Sequence, residues 1–198
     1  TLSKILSGLL SPDEGEIILN GKKEQIKSPR DAKKLGIVMA HQNLSLVPYM
    51  TVWENIALGH ENHFFWSWLD DKKDIESAKN ILQKLCPEID PHEKVSELSP
   101  AHRQMVEIAK VLSQRPKVII FDEPTASLEF LQVKRLFSII EELKRQKVSI
   151  IFISHRLWEV IKICDYVTIL RNGYTVATLD LNVIPKRDQY GYILRYIT

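Results

Sequence analysis

Cysteine is scarce: only Cys86 and Cys164 occur in 198 residues. They stand far apart and without the paired spacing of a metal site, so the two read as reduced core residues of a cytosolic protein. Long apolar runs are missing too. None approaches the ~18 residues that a membrane-spanning helix needs, and there is no signal-peptide pattern. Neither sign of charge is in excess, since 27 Lys and Arg against 25 Asp and Glu leave +2. Nothing in that balance asks for nucleic acid or an anionic membrane as a partner. There is no low-complexity block, and the length suits one substantial domain. An initiator methionine is also absent. The opening "TLSKILSGLL" already has helical spacing, with Leu2, Ile5, Leu6 and Leu9 at i, i+3, i+4 and i+7 and no N-cap before them. The expectation is a chain that starts inside a helix, with a segment upstream.

What is present alternates. "SPDEGEIILNGK" reads as turn, strand and turn, and Asn20-Gly21 is a strong hairpin signal. "GIVMA" is a short buried strand running into His41-Gln42. Helical faces follow at Ile75, Ala78, Ile81, Leu82 and Leu85, and at Met105, Ile108, Ala109 and Leu112. Strand "KVIIFD" leads to a helix carrying Val133, Leu136, Ile140 and Leu143. Strand "VSIIFIS" leads to His155 and a helix with Leu157, Val160, Ile161 and Cys164. The end, "YVTILRNG" and "YTVATLD", reads as a second hairpin. Buried strands alternating with helices indicate βαβ units, an α/β fold with a mainly parallel sheet and a small antiparallel portion. Residues 43–114 contain no strand signal. They read as a helical subdomain inserted in a core of 1–42 plus 115–198, the whole forming one domain.

The chemistry starts at "VIIFDEPTASL". An apolar run bounded by a turn signal suits a strand buried on both faces. Asp122 and Glu123 then stand at the carboxyl edge of a parallel sheet, where open α/β sheets bind ligands. The first acid suits a Mg²⁺ ion held through water, because that ion keeps its hydration shell. The second suits an attacking water. The dipeptide alone fits a helix N-cap or a surface acid pair equally well. His155, at the end of the next strand, adds to the case, because adjacent parallel strands place it near the acids. Gln42 also follows a short apolar strand, where an amide is able to ligate Mg²⁺ or sense a γ-phosphate.

Together these pieces resemble the ATP-binding-cassette family, in order and over essentially the whole chain. Gln42 matches the family's Q-loop, and "LSPAHRQMVEIAKVL" matches its signature motif and helix. "VIIFDE" matches Walker B, "ASLE" the D-loop, and "ISHRL" the switch histidine. Within the family, "SPRDAKKLGIVMAHQNLSLVPYMTVWENIALG" looks most like the ATPases of bacterial ribose, galactose and xylose importers, which carry two cassettes in one polypeptide. This chain resembles the first cassette. The resemblance implies a P-loop NTPase-like fold, ATP and Mg²⁺ as cofactors, and a place on the cytoplasmic face of the membrane. It implies a separate permease, a second cassette and, indirectly, a periplasmic sugar-binding protein as partners. It gives Asp122 the Mg²⁺-water role, Glu123 that of general base, and His155 that of γ-phosphate switch. Gln42 would link metal to permease. Thr1, Ser99, Ala101, His102 and Ser127 would face nucleotide, the signature residues toward the phosphate held by the opposite cassette. Helix N-terminal amides favour such an anion.

The pattern breaks at two places. No G-x-x-x-x-G-K-[ST] occurs in the chain, and Thr1 matches the threonine just after that motif. Without its lysine and amide nest, the expectation is little or no ATP binding by this chain alone. The usual signature Leu-Ser-Gly-Gly-Gln is here Leu98-Ser99-Pro100-Ala101-His102. Pro100 suits a helix first turn. Ala101 puts a methyl where glycine lets backbone approach phosphate. That departure keeps a second reading open, a catalytically silent or regulatory cassette that supplies its signature face to a partner. A repair-type cassette fits less well, because the 55 residues between Gln42 and Leu98 leave no room for its long coiled coil. "HFFWSW" (63–68) reads first as subdomain core and second as a permease docking face.

Overall fold

The computed structural model describes residues 1–40, 44–58 and 71–197. Gln42 and the aromatic cluster at 63–68 therefore lie outside the described residues. The described chain divides into two compact units, Thr1–Ile153 and Ser154–Thr198.

The first unit is organised by a three-stranded parallel sheet in the order β3-β4-β5. β4 (Val118–Asp122) lies between β3 (Ile37–Ala40) and β5 (Ser149–Ile153). Ala40 pairs with Phe121, and Asp122 with Ile153. Both faces of β4 are covered, which is why it reads as an unbroken apolar run. Val118 and Ile120 pack with Ile37, Met39, Ile26 and Ala32. On the other face Phe121 tilts against Phe152, and Phe152 meets Phe137 edge to face, each with ring centroids 6.4 Å apart. Phe137 belongs to α6 (Phe130–Arg145).

Short elements precede the sheet in the chain. α1 (Leu2–Leu6) is only five residues long. Its buried residue is Ser3. Of the expected apolar stripe, Leu6 packs against the sheet core, while Leu2 and Leu9 are about half exposed. Gly8 ends α1 at φ +76°, and a Cβ there would stand 2.3 Å from the Ser28 carbonyl oxygen. β1 (Ile17–Leu19) and β2 (Lys22–Glu24) form the expected hairpin, Leu19 opposite Lys22. Asn20 and Gly21 both take positive φ, as a two-residue turn of this hand requires. α2 (Pro29–Lys34) starts on Ser28, whose hydroxyl oxygen accepts from the Asp31 amide, with Pro29 in the first turn.

The described part of 44–113 holds α3 (Val52–Ala57), α4 (Asp71–Leu85), a 3₁₀ turn at Val95–Glu97 and α5 (Pro100–Ser113). α5 is buried nearly all round from Gln104 to Ala109. α4 is tied to α6 by the surface ion pair Lys84–Glu142, and the turn after α4 by Arg135–Glu88, both at 2.8 Å.

The second unit contains α7 (Leu157–Ile163), β6 (Tyr166–Arg171), β7 (Tyr174–Asp180) and α8 (Gln189–Ile197). β6 and β7 form the second expected hairpin, turned by Asn172-Gly173 at positive φ. Ile169, Leu181 and Ile193 make its small core.

Candidate functional site

The two acids stand where the strand pattern puts them. Asp122 is the last residue of β4 and is half-buried. Its Oδ2 accepts a hydrogen bond from the Ser3 hydroxyl at 3.0 Å. That contact brings the amino end of α1, with the exposed Thr1 as its N-cap, to the carboxyl edge of the sheet. Glu123 follows with φ +51°, a left-handed conformation uncommon for a residue with a side chain. Its amide is anchored by donating to the Ile153 carbonyl at 2.9 Å. The strand ladder thus holds the acid in a turn that re-aims its side chain. Such local strain clusters at functional sites. Ser127 is exposed in the turn that follows.

Ser99, Ala101 and His102 group at the amino end of α5. Ser99 is the N-cap, and its Oγ accepts from the His102 amide at 3.2 Å. The Arg103 amide bonds the Ser99 carbonyl at 2.9 Å. Pro100 has no N–H, and Ala101 carries a first-turn amide that the intrahelical ladder does not use. The His102 ring is half-buried and turns toward Cys86 and Glu88, the three donor atoms lying within 4.8 Å of one another.

His155 opens the second unit and is exposed. Its turn is held by an acid that the sequence reading did not single out. Glu159 is fully buried, and its Oε2 accepts from the Ser154 hydroxyl at 2.8 Å. Its Oε1 pairs with Arg156 at 3.4 Å, and the Ser154 Oγ in turn accepts from the Arg156 amide.

Two further buried groups went unread, and both hold the segment that follows Gln42. Glu107 of α5, 1% exposed, accepts from the Ser45 amide at 3.2 Å and the Ser45 hydroxyl at 2.9 Å. Lys110 donates to the Ser45 carbonyl at 3.0 Å. Asn55 of α3 is fully buried. Its Oδ1 accepts from Val47 N–H at 2.7 Å, and its Nδ2 donates to the carbonyls of Val47, Met50 and Thr51. A charged residue inside the apolar helix pattern "MVEIAKVL" was the available signal for Glu107. Asn55 follows Glu54 in "TVWENIA" and carries no local signal beyond being polar.

The two carboxylates stand at the carboxyl edge of a parallel sheet, where open α/β sheets bind ligands. A family model described as ABC transporter matches residues 1–126, and the chain belongs to that family. It is 46% identical over 181 residues to a galactose/methyl galactoside import ATP-binding protein of Clostridium tetani, covering 90% of this chain and 36% of the relative. It is 40% identical over 185 residues to a ribose import ATP-binding protein of Clostridium perfringens, covering 93% and 37%. The chain thus spans little more than a third of these relatives. Among solved structures, MJ1267, an ATP-binding cassette of an ABC transporter, superposes with a TM-score of 0.81 at 26% identity, covering 100% of this chain and 82% of that one. The α/β, P-loop NTPase-like fold class expected from the sequence is borne out. No helix among the described residues is long and apolar enough to cross a membrane.

Proposed function

We propose that this chain is part of the ATP-binding subunit of a transporter that imports a sugar through a separate membrane permease. It would sit peripherally on the cytoplasmic face, paired with a second cassette and served indirectly by a periplasmic sugar-binding protein. The observation that carries the reading is the junction at Asp122: a half-buried carboxylate at the end of the central strand, bonded by Ser3 of α1 and followed by Glu123 in a left-handed turn. The donor set fits Mg²⁺, a hard cation that takes oxygen ligands and keeps several waters. Asp122 Oδ2 accepts from Ser3, and the Asp122 carboxylate would hold the ion through water. Mg²⁺, when bound with ATP, neutralises charge that develops on the phosphates. Glu123 accepts the proton of the attacking water and orients it. His155 senses the γ-phosphate, and Gln42 connects the metal to the permease. The Ser99 hydroxyl and the Ala101 amide face the phosphate held by the opposite cassette. The chain carries no phosphate-binding loop of its own, so we infer that it holds ATP only within the longer protein.

Glu123→Gln in the complete transporter, with the second cassette's site disabled, tests the assignment. The amide keeps the shape and loses the base, so hydrolysis is expected to fall about 10²-fold or more with ATP binding retained. Unchanged turnover removes Glu123 from the mechanism. A catalytically silent cassette is the second reading. The methyl of Ala101 and the inward-turned His102 ring would weaken the site on the opposite cassette and leave this chain a supplier of the signature face, and turnover at this cassette's own site tests whether it is silent. A silent cassette shows no turnover to lose.

A further inference from the structure

Three donor atoms of different chemistry converge where α4 ends and α5 begins. Cys86 follows the last residue of α4 and is fully buried. Its amide donates to the Leu82 carbonyl at 2.7 Å, and its carbonyl accepts from Ile89 at 3.1 Å. Both bonds fix the backbone on either side of the thiol. Pro87 then holds Glu88 two residues on. His102, 16 residues away in sequence, brings its ring from the first turn of α5. The Cys86 sulfur, a Glu88 carboxylate oxygen and a His102 ring nitrogen all lie within 4.8 Å of one another. In a tetrahedral zinc site, bonds of about 2.0–2.3 Å put donor atoms some 3.3–3.8 Å apart. Small rotations of the Glu88 and His102 side chains cover that difference.

The Cys86 thiol and the Glu88 carboxylate are already hydrogen-bonded, and the groups around them resemble the outer partners of a metal centre. Ligating carboxylates are usually held by outer partners. Here Arg135 bonds both Glu88 oxygens, at 2.9 and 2.8 Å. The Gln132 amide nitrogen lies 4.0 Å from the Cys86 sulfur, as an N–H···S donor. Both residues come from α6, so the ligands come from the turn after α4 and the start of α5, and their supports from another helix. Burial is graded. Cys86 is inside, His102 is half-buried and Glu88 is at the surface, which leaves an entry path and a fourth position for water.

We propose that Cys86, Glu88 and His102 form a binding site for a thiolate-preferring divalent cation of the Zn²⁺ class. Binding displaces the thiol proton to solvent and forms a sulfur–metal bond, and no electron changes hands. The ion fastens the first turn of α5 to the end of α4.

Cobalt(II) titration of the 198-residue chain under oxygen-free conditions tests this, with Co²⁺ as the spectroscopic stand-in for Zn²⁺. The expected result is a near-ultraviolet thiolate-to-cobalt charge-transfer band together with visible bands of tetrahedral intensity. These saturate at one Co²⁺ per chain and are removed by Zn²⁺. Cys86→Ser abolishes the charge-transfer band, and Cys164→Ser leaves it. His102→Asn and Glu88→Gln, which leave the buried thiol in place, weaken binding at least 10-fold. Arg135→Ala, an outer partner, weakens it 10–100-fold. Circular dichroism establishes that each variant is folded. If Cys86→Ser does not fold, His102→Asn decides. No band in the unmodified chain, a band that survives Cys86→Ser, or unweakened binding in His102→Asn overturns the proposal.

Discussion

Replacing Asn55 by alanine should be among the most damaging single changes in the first unit. Asn55 is fully buried and serves four backbone groups from Val47 to Thr51. The three carbonyls it touches each have another donor. Met50 N–H bonds the Val47 oxygen, Val95 N–H the Met50 oxygen, and Asn55 N–H the Thr51 oxygen. The Val47 amide loses its 2.7 Å bond to Asn55 Oδ1. Val47 is exposed and that bond is part-buried, so its loss stands at the low end of the roughly 1–3 kcal/mol for an unsatisfied N–H, and the other bonds contribute about 1 kcal/mol each, less where the acceptor is shared. The sum is about 3 kcal/mol, or roughly a hundredfold in the folding equilibrium. Urea denaturation followed by circular dichroism should show a midpoint lowered by about 1–3 M with the slope unchanged. Asn55→Asp keeps the acceptor for Val47 but aims a carboxylate at three carbonyl oxygens. That raises its folded pKa above the unfolded one, because burial and the carbonyls disfavour the charge. The penalty is therefore present above the folded pKa and is relieved as pH falls through it. A loss below 1 kcal/mol in Asn55→Ala, or an Asp variant as stable as the parent at neutral pH, would refute the reasoning.

Two further outcomes follow from local chemistry. Thr51 and Glu54 form a capping box at α3, and the Thr51 amide and hydroxyl hold the Glu54 carboxyl below the usual glutamate range. Thr51→Ala should cost about 1 kcal/mol at pH 7. Because the folded value is depressed, this stability is complete above the ordinary glutamate range and is lost as pH falls through the folded pKa. The thermal-melting difference between parent and Thr51→Ala should therefore shrink in acid, and a constant difference would count against the box. Burial, then the neighbouring Glu88 carboxylate, pushes the Cys86 thiol up to about 12. The metal-free native chain should therefore alkylate at Cys86 about 10³-fold more slowly at pH 8 than an ordinary thiol. Peptide mapping after iodoacetamide reads this directly, and labelling at the rate of an unfolded thiol would contradict the burial.

Local patterns carried much of the fold. The apolar run before Asp122 announced a strand covered on both faces, and it lies in the middle of the sheet. Asn20-Gly21 and Asn172-Gly173 announced both hairpins, because few other pairs accept positive φ twice in succession. Ser99 before Pro100 announced the start of α5. The groups that position the candidate site were harder to read, because they work across the chain. Ser3 meets Asp122 over 119 residues and Ser45 meets Glu107 over 62, and no periodicity records such a pairing. The opening apolar stripe was right in part for a related reason. In α1 Leu6 packs on the sheet core, but the bond to Asp122 buries a serine, whereas Leu2 stays half exposed. Likewise, spacing along the chain gave no hint of a metal centre, since His102 reaches Cys86 only through the packing of α5 on α4.

Gly8 makes α1 a captive strut. At one end the Ser3 hydroxyl is hooked to Asp122. At the other, the chain leaves over the Ser28 carbonyl so closely that even a methyl group would overlap it. The space between the end of α1 and the cap of α2 thus admits a hydrogen atom at position 8 and nothing larger, so any side chain there must push α1 or the start of α2 aside.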